Sequence, residues 1–458
     1  MITDRELRSE FVAALEAVTP PAPWLAASIE KTWRETQRTR RRRRIAPGLR
    51  IRLHWTSGLV AVLLVVALLA ALLYASAVLT RRHSVPASPS SHALGGGSGM
   101  VSPTVGWWDT NGEGNIVRTT DGGISWTDAT PASFVQDITA STFFLDATHA
   151  WDIETISANG SSQTITFRTS DGGNTWRSGT DITIAGQVFS PPRTYFFDTS
   201  HGWLLFGIST LESTNQELFK TVDGGLTWTL VADKLLGDGT SNLTGCHWDT
   251  LAFASTSVGW SLATCPGATY QQLLVTHDGG KTWAPEQLAR GIGAGTNLGC
   301  PCQTPLVFDH GQAMILATAS SPPPSRLELL MTSDAGTTWS PRALPGEAIF
   351  GMDFTDPQHG WAIAGPASIF SRDSSGQFPA LPGVAVPLYR TVDGGLTWTP
   401  VLTSLPFASG DGRIQDLYFV DQQHGFADRF NVTTQIGQLL ATADGGRTWH
   451  VVGRTPSG

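Results

Sequence analysis

The chain has 458 residues and a formal net charge of −8, with 30 Lys/Arg against 38 Asp/Glu. The charge is unevenly spread: residues 1–54 hold 12 Lys/Arg and 6 Asp/Glu, whereas residues 83–458 hold 16 and 32. An acidic main body argues against nucleic acid or anionic lipid as its principal partner.

Residues 4–18 carry Leu7, Phe11, Ala14, Leu15 and Val18 at helical spacing, which predicts a short amphipathic helix. Pro20, Pro21 and Pro23 stop it, and a second helical stretch runs from Trp24 into the unbroken arginines Arg40 to Arg44. From Ser57 to Leu79 the sequence is apolar and uncharged, long enough to cross a bilayer and too long for a signal-peptide core. A transmembrane helix is therefore expected over 55–80, with Trp55 and Tyr74 toward its ends. The basic side precedes it, so residues 1–54 are expected in the cytoplasm and everything after Thr80 outside. The arginine run fits lipid headgroups better than RNA at that position. The helices of 1–54 suit either the membrane surface or a cytoplasmic partner. Residues 81–99 are rich in Ser, Pro and Gly and read as a flexible linker.

From residue 100 to 453 one phrase, Thr-x-Asp-x-Gly-x-Thr/Ser-Trp, occurs seven times. Its aspartates are Asp121, Asp171, Asp223, Asp278, Asp334, Asp393 and Asp444. Its tryptophans are Trp126, Trp176, Trp228, Trp283, Trp339, Trp398 and Trp449. The aspartates are 50 to 59 residues apart, a period that fits a four-stranded propeller blade. Upstream of most copies stands Gly-Trp or a relative of it, as at Gly106-Trp107, Ala150-Trp151, Gly202-Trp203, Gly259-Trp260, Gly360-Trp361 and Gly425-Phe426. Blade five has Gly311-Gln312 instead. Seven residues before that aromatic come Phe144, Phe196, Phe253, Phe354 and Phe419, with Met100 in blade one. Each unit parses into strand A carrying the Phe, strand B opening at Gly-Trp, strand C running into the phrase, and strand D leaving from its Trp. For blade one, strand A is expected at Gly99 to Ser102. The fold class is all-β: one closed seven-bladed β-propeller behind a single transmembrane helix.

The phrase makes sense as a turn lock, with Asp accepting backbone N–H groups, Gly supplying an unusual φ and Trp covering the apolar side. It resembles the Asp-box, or BNR, repeat of sialidases, sortilin-type receptors, xyloglucan-degrading enzymes and photosystem II assembly factors. The last group is the closest in type. The resemblance covers roughly residues 100–453 and implies the fold far more than a function, because unrelated activities share the repeat.

Seven aspartates in identical turns suit blade construction rather than catalysis. The histidines before Gly-Trp (His149, His201, His310, His359, His424) read as turn formers, not as a metal ring, because equivalent positions in neighbouring blades stand too far apart for one ion. The resemblance implies that a sialidase would need three convergent arginines and a Tyr–Glu pair. Arg118, Arg168 and Arg390 instead occupy one repeated position on different blades, with Lys220 in the same place, and Tyr195 and Tyr270 are the tyrosines left outside regular strands. No catalytic residue, metal or cofactor is assigned.

Strand topology puts the A–B turns and the repeated phrase on one face and the B–C and D–A loops on the other, where the blades differ. Loops at Ser320–Arg326 and Gly365–Pro387 stand out, and Arg326, Phe370, Arg372 and Phe378 are the candidate binding residues. The cysteines Cys246, Cys265, Cys300 and Cys302 are expected to be oxidised. Cys246 with Cys265 is favoured because the two flank a hairpin nearly symmetrically; links to Cys300 or Cys302 stay open. The function expected is non-catalytic binding of a protein, glycan or other envelope component outside the cell membrane. A sialidase-like carbohydrate-active enzyme and a transmembrane sensor are the alternatives.

Overall fold

The computed structural model describes residues 98–456 apart from 111–114, 133–138, 189, 210–213, 234–242, 244, 268–270, 287, 289–291, 295–304, 309–310, 320–325, 366–386, 403–411 and 432–435. The expected cytoplasmic helices, the apolar stretch of 57–79 and nearly all of the linker lie outside these residues.

Seven antiparallel sheets follow one another along the chain: 98–128, 139–185, 187–232, 247–285, 292–342, 348–402 and 412–454. Each is built from its own contiguous segment in the order A-B-C-D, so the protein is an all-β, seven-bladed propeller. Strand A of blade one is Ser98–Met100, shifted from the expected Gly99 to Ser102. Four blades hold a fifth strand, which is an ordinary strand in two pieces. In blade three, Gln187–Val188 and Arg193–Phe196 both pair with strand B, parted by Pro191 and Pro192, which have no N–H for the ladder. In blade two, strand D breaks at Gly179, where the chain turns aside to bond the next blade through Thr180 N–H and Leu226 O (2.8 Å).

The recurrent aromatics explain how neighbouring blades join. Of the five recurrent strand-B tryptophans, four lie flat against the strand-A phenylalanine of the following blade: Trp107 on Phe144, Trp151 on Phe196, Trp203 on Phe253 and Trp361 on Phe419, with centroids 3.6–5.4 Å apart, whereas Trp260 meets Trp339 of the following blade edge-on. That phenylalanine also takes the tryptophan of its own repeated turn edge-on, as Phe196 does from Trp228 and Phe419 from Trp449. The residue ahead of the phenylalanine can add a polar stitch. Tyr195 Oη donates to Phe253 O (2.8 Å), Asp353 accepts from Phe419 N (2.6 Å) and Tyr418 Oη accepts from Met100 N (3.1 Å). The last of these joins blade seven to blade one, where Met100, Tyr418, Phe426 and Leu439 share one buried cluster. Among the described residues the ring thus closes through side chains, with no strand exchanged between its ends.

All seven repeated turns have the same bonds. In blade three, Thr221 Oγ1 donates to Asp223 Oδ1 (2.8 Å), Thr227 N donates to Asp223 Oδ1 (2.9 Å), and Thr227 Oγ1 donates to Asp223 Oδ2 (2.6 Å). The buried N–H of Gly225 goes to Thr221 Oγ1 (2.9 Å), not to the aspartate. The first glycine's N–H reaches back to the A–B turn, as Gly224 N does to Ser200 O (2.7 Å), which puts both turns on one face. Gly224 and Gly225 have φ of 70° and 86°, a region closed to most side chains.

This division of labour alters what the aspartate is worth. Its partner N–H at Thr227 is exposed and water can replace the carboxylate, whereas nothing replaces Thr221 at the buried Gly225 N–H. Thr221→Val should therefore destabilise the protein by about 1–3 kcal/mol, and Asp223→Ala by about 1 kcal/mol or less. Thermal melts of the two variants check the order, and a larger loss for Asp223→Ala would reverse the assignment.

Candidate functional site

The repeated aspartates lie on the rim of the turn face and are held ionised. Asp121 is lowered to about 2, first by the Ser125 hydroxyl and then by the Ser125 N–H. The other six are lowered by the matching Thr bonds, against a desolvation that is the largest single influence at Asp223, Asp278 and Asp444. Each is bonded within its own turn, so the seven do not converge on a common point.

The A–B turn histidines are likewise internal. His149, His201, His359 and His424 each place Nδ1 2.8–3.0 Å from the carboxylate of the aspartate three residues earlier. That same carboxylate accepts two backbone N–H groups of the turn, as Asp198 does from Ser200 and His201 (both 2.7 Å). In blade four Ser255 takes over, accepting from Ser257 N and Val258 N. Among the described residues no set of three or more His, Cys, Asp or Glu could hold a metal ion.

The repeated cations reach across the seams to neighbouring blades. Arg118 Nη2 donates to Ala147 O of blade two (2.9 Å) and Arg168 Nη1 to Asp223 O of blade three (2.7 Å). Lys220 Nζ donates to Thr256 O of blade four (2.7 Å), and Arg390 Nη2 to Gln422 Oε1 of blade seven (3.3 Å). Arg118, Lys220 and Arg390 also stand 5.0–5.2 Å over the strand-B tryptophan of their own blade. Tyr195, expected outside regular strands, sits fully buried in the strand Arg193–Phe196 with its hydroxyl bonded across a seam. Its alternation with Phe196 on a short strand hid that role. Tyr270 lies outside the described residues.

Of the repeated-turn tryptophans, Trp176, Trp228 and Trp398 donate to the preceding blade, at Ala129 O, Thr166 Oγ1 and Ala343 O. Trp283 and Trp449 donate within their own turns, to Gly280 O and Gly446 O. Cys246 and Cys265 form a disulfide. Cys300, Cys302, Phe370, Arg372 and Phe378 lie outside the described residues. Arg326 opens strand C of blade five opposite Ala319.

Carboxyls that the repeat pattern did not single out are the chemically unusual ones. Glu286, just after strand D of blade four, lies against Gly336 of the next blade and accepts from Trp260 Nε1 (3.1 Å). Elsewhere that indole N–H goes to the next blade's turn, as Trp203 does to Gly279 O. Desolvation raises Glu286 to about 7, opposed by the Trp260 and Trp339 indoles and aided by Asp334. A second group comprises Asp109, Asp152 and Glu154 between blades one and two, and a third Asp416 and Asp428 on blade seven. Comparing the repeats with each other exposes them: the register of Asp109 and Asp428 in strand B is filled by Ile153, Leu205, Leu262, Met314 and Ile363 in the other blades.

Glu286 makes the stability pH-dependent with a definite sign. A carboxyl raised on folding contributes fully below its unfolded value near 4.5, and that contribution is lost as pH rises to about 7. Glu286→Gln keeps an acceptor for Trp260 and removes the charge. It should be more stable than the parent at pH 8 by roughly 1–2 kcal/mol, after discounting for partial exposure, and should lose that advantage near pH 4.5. Melts at the two pH values decide it; an equal difference at both would remove Glu286 as the cause.

No protein family matches this chain, and no curated protein does. Among solved structures it is similar to a PL25 polysaccharide lyase, an ulvan lyase bound to -[GlcA(1-4)Rha3S]-, at 10% identity and TM-score 0.46 over 81% of this chain and 97% of that one. It is also similar to the GH74 enzyme of Niastella koreensis (14% identity, TM-score 0.30, 77% and 55% covered) and to prolyl oligopeptidase B of Galerina marginata (11%, 0.49, 80% and 52%). At these identities the likeness concerns fold alone.

Proposed function

We propose that this chain is a membrane-tethered binding propeller acting outside the cell membrane, built from Asp-box repeats, with its ligand at the loop-rich face. The observation that carries this reading is the commitment of Arg118, Arg168, Arg390, Tyr195 and Tyr418 to seams between blades. A sialidase-type site would need residues of these kinds gathered at one mouth. The apolar stretch of 57–79 behind a basic N-terminal segment supports the tether and its orientation. The length and composition of the blade five and blade six loops support recognition of a protein or glycan there.

A carbohydrate-active enzyme is the second reading, favoured by the carboxyl group of Asp109, Asp152 and Glu154, since glycoside hydrolysis uses paired carboxyls with different protonation. Their burial, at 9%, 0% and 2% exposed, argues against substrate contact. The test pairs two readouts on the full chain: turnover of sialosides and plant or algal polysaccharides, and crosslinking in its native membrane. Binding is supported by a specific crosslinked partner that is lost when Ser368–Leu381 is shortened to a Gly-Ser turn. Turnover abolished by Glu154→Gln in a folded variant would overturn it in favour of the enzyme.

A further inference from the structure

Strand D is the outer edge of each blade, and an outer edge offers its free N–H and C=O groups to any further strand. The second residue after the repeated-turn tryptophan is proline in three blades: Pro285 in blade four, Pro341 in blade five and Pro400 in blade six. These prolines pair with Leu274, Leu330 and Tyr389 of strand C. Proline has no N–H, so it fits a paired strand only where that N–H would face solvent. Each of the three therefore removes an outward donor and blocks its edge. In blade one strand D is only Thr127–Asp128. In blade two it is Arg177–Ser178, then Ile182–Ala185 with both isoleucines buried.

Blades three and seven are different. Residues 221–229 and 391–399 are identical, yet the next residue is Leu230 in blade three and Pro400 in blade six. Leu230 pairs with Phe219, and in blade seven Val451 pairs with Leu440, in the register that the prolines occupy elsewhere. The N–H groups of Leu230 and Val451 thus face outward, beside side chains that are 47% and 53% exposed. Among the described residues these are the strand-D positions with a large exposed aliphatic side chain. A bulge at the following residue, Val231 or Val452, bends the two edges alike.

The two edges carry opposite charge. Exposed Asp233 follows the blade three edge, and half-buried Glu217 lies nearby on strand C, raised first by burial and then by the Asp233 charge. The blade seven edge carries His450 and Arg454, with Arg447 exposed in the turn before it and no acidic residue in Ile436–Thr442 or His450–Arg454. Laid side by side in one direction, Leu230 falls beside Val451 and Asp233 beside Arg454, because each charge stands three residues further on. Two blade three edges would bring acids together, and two blade seven edges bases.

We propose that this protein associates with itself on the rim of the propeller, the blade seven edge His450–Arg454 of one copy adding to the blade three edge Thr229–Ala232 of the next. Main-chain hydrogen bonds from the outward N–H groups and the Leu230–Val451 contact hold the pair, and Asp233 with Arg454 sets its partner. The contact joins two different surfaces nearly opposite each other on the ring, so successive copies extend as a row instead of closing as a pair. The rim is separate from the loop-rich face, which stays free.

Sedimentation of the full chain in detergent micelles over a concentration series tests this, with thermal melts to show that each variant is folded. The parent should form species larger than a dimer as concentration rises. Leu230→Pro and Val451→Pro should fold, because proline already occupies that register in three blades, and each alone should associate roughly tenfold or more weakly than the parent. An equimolar mixture of the two should form dimers that grow no further, since each variant keeps the edge that the other lacks. Asp233→Arg should weaken association, and adding Arg454→Asp to the same chain should restore it. A parent that stays monomeric, or proline variants that associate as the parent does, overturns the proposal. So does a Val451→Pro chain that still pairs with itself, because like edges would then be meeting.

Discussion

Trp203→Ala should destabilise the propeller by about 3–5 kcal/mol, the range for removing a fully buried tryptophan. The side chain is 0% exposed and lies flat on Phe253 of blade four, with centroids 3.6 Å apart and planes 3° from parallel. Its N–H satisfies Gly279 O (3.0 Å), and Lys220 Nζ stands 5.0 Å over its face before crossing to Thr256 O. Alanine would leave a cavity at the seam, unpair a buried carbonyl and strip the lysine of its aromatic support. Trp203→Phe keeps an aromatic face against Phe253 and loses mainly the bond to Gly279 O, so it should cost about 1–2 kcal/mol. Chemical denaturation of both variants measures this. If Trp203→Ala stays within about 1 kcal/mol of the parent, the stacked Trp–Phe contact does not hold the blades together.

Loss of the Cys246–Cys265 disulfide should cost roughly 3 kcal/mol, the loop-closure value for cysteines 19 residues apart. The bridge sits at the open end of the hairpin, next to the pairs His247↔Thr264 and Trp248↔Ala263. This is where strand A is in two pieces, His247–Trp248 and Ala252–Phe253, so few ladder bonds hold the first piece. Its other hold is Gln216 of blade three, which accepts from Trp248 N (2.7 Å) and donates to Trp248 O (2.9 Å). The double variant Cys246→Ser/Cys265→Ser should melt lower than the parent, and Trp248 N–H should exchange faster while strand B of blade four stays protected. Unchanged melting would mean that Gln216 and the hairpin already supply all the constraint.

The number of blades and the A-B-C-D order were legible in the sequence because each rests on local signals. The turn of Thr221, Asp223, Gly224, Gly225 and Thr227 closes on itself within seven residues, so its geometry is written in its own spacing. The broken first strand of blade three was less legible, although Pro191 and Pro192 mark the break, because the repeat phrase does not extend that far. The partners across the seams were not legible at all. Arg168 bonds a residue 55 positions on, Tyr195 one 58 on and Tyr418 one 318 back, and only the closed ring brings these together. The same holds for the buried acids. Asp109, Asp152 and Asp428 are ordinary residues in a strand until the ring sets two blades face to face and removes the water that would have solvated their charge. The sequence alone determined how each blade folds, through contacts within about fifty residues. The tertiary structure decided what each blade's exposed side meets, because that depends on which face of which neighbour the ring presents to it.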